Sequence, residues 1–236
     1  IDFMFQNCEA LTSLDLNCLN VTNVTHSEFM FLNCYNLATL NISSWRPEKL
    51  QYINYMFAYC KALTTLDVAN WNVSNVTGRK SGTAPIYNYF AVFYNCENLT
   101  SLNLNNWKFT DKFKSTGTVS GNISTAAYMF AGCNKLTTIG TDAGKDLFTG
   151  ALAPSWEGMF ENCNLLQKVD CRDWYAVNVT STYRMFYRTH NLEIVGPLRW
   201  QTDSLTSCEQ MFYGWGYNKY ADTTRTLDLS GWNTSE

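Results

Sequence analysis

The residues of this chain whose types invite chemistry are its nine cysteines, its two histidines and its eight tryptophans. Thiolates and imidazoles serve as nucleophiles, bases and metal ligands, but only where several converge on one point. The spacing argues against convergence. Cys8, Cys34, Cys60, Cys96, Cys133 and Cys163 each follow a phenylalanine by three residues, at wide and regular intervals. His26 and His190 fall in distant turn segments, and no Cys-x-x-Cys pair, HExxH helix or glycine-rich phosphate loop accompanies them. The catalytic and metal assignments are therefore none, no cofactor is expected, and the chain reads as a non-enzyme.

Regular spacing of cysteines is instead the mark of a repeat. The anchors Phe5, Phe31, Phe57, Phe93, Phe130, Phe160, Phe186 and Phe212 are separated by 26, 26, 36, 37, 30, 26 and 26 residues. The basic unit is 26 residues, and three units carry insertions. A unit this short cannot bury its apolar face alone and must stack on its neighbours. Leu63, Leu66 and Val68 follow the L-x-x-L-x-L spacing of a leucine-rich repeat, as do Leu11, Leu14 and Leu16, and Leu37, Leu40 and Ile42.

Segments such as "YINYMFAYC" space apolar residues by three and four, which predicts short helical turns. The fold expected is an α/β repeat, a right-handed leucine-rich-repeat-like solenoid. It has a parallel β-sheet on one face, short helical turns on the other and about eight repeats of 26–37 residues. One such solenoid spans residues 1–236, read as a fragment of a longer protein without end caps. Val73 and Val76 are expected to point inward from the return limb. Gly140 and Pro197 interrupt strand positions, so the fifth and seventh units should pair irregularly.

The units "MFQNCEALTSLDL", "MFAYCKALTTLDVANW" and "VFYNCENLTSLNLNNW", with the tail "NVSNVT", resemble the BspA-like leucine-rich repeat family. Met, Phe, Cys, Leu, Trp and Asn-Val-Thr recur together at fixed offsets over essentially the whole chain. Departures are Thr189 and Trp215 in place of cysteine and Leu19 at the first tryptophan offset. The resemblance implies a cell-surface, extracellular adhesion protein that binds protein or glycan on a host or neighbouring cell or matrix. The alternatives are a fibre-like spacer or receptor-binding component on a virion surface, and an accessory binding module of a larger secreted enzyme.

Composition agrees with a binding role and narrows the partner. A net charge of −3 leaves no basic footprint for nucleic acid and no polybasic run for an anionic membrane. No stretch approaches the roughly 18 apolar residues of a membrane span, so direct membrane insertion is not expected in this segment.

Within the repeat, the six in-file cysteines read as small buried core residues. Cys171 should be buried too, and Cys18 and Cys208 accessible. Trp45, Trp71, Trp107, Trp174, Trp200 and Trp232 share one offset and read as the edge of the core. Trp156, Trp215, Tyr217 and Tyr220 lie off that file and are candidates for contact. The sequons at Asn20, Asn23, Asn41, Asn72, Asn75, Asn98, Asn122, Asn178 and Asn233 are spelled by the consensus itself.

Strand alternation points the residues between the leucines outward. One outward row reads Asp15, Asn41, Asp67, Asn103, Gly140, Asp170, Gly196, Asp228. Its neighbour reads Ser13, Thr39, Thr65, Ser101, Thr138, Lys168, Ile194, Thr226. This polar ladder is one candidate ligand face, through Asp15, Asn41, Asp67, Asn103 and Asp170. The other is a positive patch of Arg79, Lys80, Lys108, Lys112 and Lys114 on the two longest insertions, with Trp215 and Tyr217 as further candidates.

Overall fold

The computed structural model describes residues 1–76, 89–107, 126–140, 144, 155–174, 179–196, 198, 204–217, 226–230 and 232. Six short strands follow in chain order: β1 Ser13–Asp15, β2 Thr39–Asn41, β3 Thr65–Leu66, β4 Ser101–Leu102, β5 Lys168–Asp170 and β6 Glu193–Val195. They pair in parallel as β1 with β2, β3 with β4 and β5 with β6, and a single bridge joins Ser101 to Thr138. Each strand sends its central leucine, valine or isoleucine inward, with Leu40, Leu66, Leu102, Val169 and Ile194 all buried. One strand per coil, parallel to the next, is the geometry of a repeat solenoid.

The stacking is most direct in the anchors. Consecutive rings from Phe5 to Phe212 lie 5.3–5.8 Å apart and within 11° of parallel. Phe31, Phe57, Phe93, Phe130, Phe160 and Phe186 are fully buried. Each such side chain contributes on the order of 1.5–3 kcal/mol through burial, and the file contributes as a unit because every ring is covered by the next. The return limb closes the core from the other side, with Val73 and Val76 buried as expected.

The expected helical turns are replaced by a different device. Among the described residues there is no helix, and so none long and apolar enough to cross a membrane. Around each anchor the backbone N–H groups alternate in direction. Phe29, Phe31 and Asn33 donate to the carbonyls of Asn54, Met56 and Ala58 in the next coil at 2.9–3.1 Å, while Leu32 and Cys34 fold back to Phe29 and Phe31. An α-helix would direct all of these groups along its own axis. Left-handed residues two before and two after each anchor, such as Phe29 (φ 56°) and Asn33 (φ 63°), turn alternate peptides towards the neighbouring coil. The turn face is thus a second inter-coil ladder, and tight turns do the work foreseen for helices.

Two further departures concern register. Among the described residues the fifth unit pairs through one bridge, at Thr138, in keeping with the Gly140 interruption. The seventh is irregular too, but in register: β6 pairs along its whole length with β5, shifted by one residue, while Pro197 lies outside the described residues. The pairing places Lys168 beside Glu193, Val169 beside Ile194 and Asp170 beside Val195. One residue is missing between Leu192 and Ile194 relative to the other units. Ile194 is therefore buried and not outward, and Val195 stands where Gly196 was expected.

Candidate functional site

The strand face was the first expectation. Its acidic and amide side chains are engaged in shaping the chain. Asp15 Oδ1 accepts the Asn17 N–H at 2.9 Å, Asp67 Oδ1 that of Ala69 at 3.2 Å and Asn103 Oδ1 that of Asn105 at 3.2 Å. Each is an Asx turn that bends the backbone off the strand. Asn41 Nδ2 donates to Asp15 Oδ2 at 2.8 Å, so the first rung of the polar ladder is a hydrogen bond between coils. Asp170 departs from the row. It is buried, and Arg172 grips it through Nε and Nη2, the latter at 2.6 Å from Oδ2. The Arg79, Lys80, Lys108, Lys112 and Lys114 patch lies outside the described residues, as does Tyr220.

The chemistry-bearing files turn inward. Cys34, Cys60, Cys96, Cys133 and Cys163 are buried, and each Sγ donates at 3.1–3.3 Å to the anchor carbonyl of the preceding coil. Burial pushes the Cys34 thiol up to about 11 and Cys133 up to about 12, and it raises Cys60, Cys96, Cys163 and Cys171 as well. Thr189 replaces the thiol with a hydroxyl that donates to Phe186 O at 2.7 Å. Cys18 and Cys208 are exposed.

Trp45, Trp71, Trp107 and Trp174 are buried at the core edge as expected and Trp232 is partly buried against it, while Trp200 lies outside the described residues. Trp45 Nε1 donates to Leu16 O and Trp107 Nε1 to Val68 O, both at 2.9 Å. Trp156, expected as a contact residue, is fully buried because it takes the inward position four before its anchor, as Ile53, Tyr89 and Ala126 do in their coils. Trp215 is half-buried against Phe212 and donates to Leu192 O at 3.1 Å. Tyr217 is 67% exposed, and Tyr213, four residues earlier, is 59% exposed. Among the described residues, no three His, Cys, Asp or Glu side chains converge to hold a metal.

The built concavity lies elsewhere on the turn face, among residues that sequence reasoning did not single out. Phe3, Phe29 and Tyr55 stack there at 5.1 and 5.2 Å. The equivalent position of the next coil is Ala91, and its missing ring opens a groove of about 250 Å³ lined by Tyr55, Tyr59, Phe90, Ala91, Tyr94 and Tyr128. The walls meet steeply. Tyr59 stands at 83° to Tyr94, Tyr94 at 85° to Tyr128 and Phe90 at 70° to Tyr128, with centroids 5.3–6.2 Å apart. The Tyr128 hydroxyl donates to Glu157 Oε1 at 2.9 Å. Burial raises the Tyr94 and Tyr128 pKa values, with Glu161 adding to both.

With this geometry in view, the sequence matches the family described as "Mycoplasma protein of unknown function, DUF285" over residues 1–139 and 154–236. The chain belongs to this family. No curated protein matches it. Two solved structures are similar. One is a leucine-rich repeat protein from Eubacterium ventriosum ATCC 27560, 12% identical, TM-score 0.38, with 91% of this chain and 62% of that chain covered. The other is a leucine-rich repeat protein from Bacteroides ovatus ATCC 8483, 17% identical, TM-score 0.23, with 91% of this chain and 67% of that chain covered. The DUF285 chain spans less than two thirds of the first of these.

In this DUF285 chain the same face changes character along the stack. At coil seven the left-handed positions are Arg184 and Arg188. The Arg184 guanidinium lies 4.9 Å from the ring centres of both Tyr183 and Tyr187, and Arg188 lies 5.1 Å from Tyr187. Arg184 also reaches Glu161 at 3.8 Å. Rings in these rows therefore receive cations by their faces, an attraction set by the ring quadrupole.

Proposed function

We propose that this chain is a non-enzymatic recognition module of a BspA-like extracellular surface protein, binding protein or glycan on another cell or matrix through its turn face. The observation that carries this reading is the set of aromatic rings left open on the turn runs of the first and eighth coils. Phe3, Tyr213 and Tyr217 are 52%, 59% and 67% exposed, and Tyr187 stacks on Tyr213 at 5.0 Å. Tyrosine gives large contact area at small entropic cost and is enriched where proteins bind. The strand face is a weaker contender because its acidic and amide groups already hold turns and rungs.

The test is capture on an array of host matrix proteins and glycans. Wild-type chain is expected to bind a discrete set, and the triple variant Tyr187→Ser, Tyr213→Ser, Tyr217→Ser is expected to lose at least about tenfold in affinity, the scale of one hot-spot group. Unchanged binding by that variant, with binding lost on substitution of Arg79, Lys80, Lys112 and Lys114, would transfer the role to the insertions. No binding to any array member would overturn the reading.

A further inference from the structure

We infer that the groove between Tyr55, Tyr59, Phe90, Tyr94 and Tyr128 is a binding site for a quaternary ammonium group of the choline type. The inference rests on the recognition reading above and names a ligand class for one part of the same face. Three observations meet in it. The rings come from three successive coils at steep mutual angles, so their π faces and edges surround one space from several directions. The floor is the Ala91 methyl, and the volume of about 250 Å³ suits one compact group and excludes a folded chain segment. Carboxylates stand at the rim, since Glu157 accepts the Tyr128 hydroxyl and Glu161 lies near Tyr94 and Tyr128, with Arg184 offsetting Glu161 from the next coil at 3.8 Å and Glu157 left as the acidic group on the groove side.

The choice of cation follows from hydration. A lysine ammonium carries three donors and a tight water shell, and it would lose both against walls made mostly of carbon. A quaternary ammonium donates nothing and is weakly hydrated, so ring faces replace its water at little cost, as in aromatic cages for choline and methylated lysine. The chain supplies its own precedent for charge on rings two coils further on, where Arg184 lies against Tyr183 and Tyr187. There the cation is built in. At Ala91 the equivalent position is small, and among the described residues the ring-lined space stands open.

The experiment is titration of the whole chain with tetramethylammonium and with choline, followed by saturation transfer to the N-methyl protons and by calorimetry. Both cations are expected to bind. The neutral isostere of choline, with carbon in place of nitrogen, is expected to bind about tenfold more weakly, the ratio equivalent to a cation–π term of roughly 1.4 kcal/mol. Tyr94→Phe should retain binding and Tyr94→Ala should lose it, with Cys18→Ser as an unaffected control outside the groove. Tighter binding of phosphocholine than of choline would assign the cation to a headgroup, and weaker binding would assign it to free choline or trimethyl-lysine; either keeps the site. Equal affinity for choline and its neutral isostere, or no saturation transfer from wild-type chain, overturns the inference. Array binding lost only through Tyr187, Tyr213 and Tyr217 would then leave the broader recognition reading standing.

Discussion

A cysteine is a nucleophile in one setting and a small hydrophobe in another, and burial decides between them here. The Sγ atoms of Cys34 to Cys163 each face a backbone carbonyl one coil back. The thiolate would meet that carbonyl dipole without solvent, which is why the thiols hold their protons. Labelling of the native chain with a maleimide near pH 7.5 should therefore reach Cys18 and Cys208 first and then Cys8, the one member of the file that is half-buried where burial was expected, with the other five in-file thiols reacting only on unfolding. Rapid native modification of all of them would contradict the burial. The same shifts bear on stability. A thiol whose folded pKa is raised keeps its proton while the unfolded chain loses it, so the stability it contributes is complete below about pH 9 and declines above. Denaturant melts should show the decline between about pH 9 and 11, at up to roughly 1.4 kcal/mol per pH unit per thiol. Cys34→Ser with Cys133→Ser should make it shallower by the share of two of the six raised thiols, since a hydroxyl does not titrate there. A slope unchanged by the pair would assign the decline to other groups.

At the level of the element, the turn run around each anchor was the part least legible in the sequence. Apolar residues spaced by three and four suit a helix and equally suit consecutive turns that bury every second side chain. The discriminating signal was the residue two after the anchor: Asn7, Asn33, Asn95, Gly132, Asn162 and Gly214, the types that tolerate a left-handed backbone. What recurs without change, the Phe, Cys and Trp files, could be read from spacing alone because each coil repeats the same environment. What arises from departures could not. The groove exists because Ala91 breaks a row of rings, and the seventh register slips because one residue is absent before Ile194. A helix and a left-handed turn rank substitutions oppositely. In a helix Asn33→Gly would cost about 1 kcal/mol more than Asn33→Ala. Here Asn33→Ala should be the more costly, by about 1 kcal/mol, because φ is 63° and a methyl group is strained there. Both variants lose the bond from Asn33 Nδ2 to Asn7 Oδ1, so the difference isolates the backbone. Equilibrium urea denaturation measures it, and the helical order of stabilities would reject the turn assignment.

For the molecule as a whole, the coil-to-coil hydrogen bonds and the phenylalanine file make stability a sum of neighbour terms and not a property of one central core. Long-range pairing in this chain means pairing with the next coil, and few contacts span further. That architecture explains how one face can be aromatic around Ala91 and cationic at Arg184 without either region disturbing the other. It also predicts how damage spreads. Phe93 touches Phe57 at 5.6 Å and Phe130 at 5.7 Å, and it is fully buried. Phe93→Ala should cost about 3–5 kcal/mol through lost burial and a cavity that the flanking rings cannot fill. In native-state hydrogen exchange the amides of Phe57, Tyr59 and Asn95, which donate to adjoining coils, should lose protection strongly. Those of Phe186 and Arg188, three coils away, should change by less than about tenfold, because only nearest-neighbour terms have been removed. A single cooperative core would lower all of these amides together. Uniform loss of protection from Phe5 to Phe186 would therefore show that the coils do not behave as semi-independent layers, and the independence of the two ring-bearing regions of the turn face would fall with it.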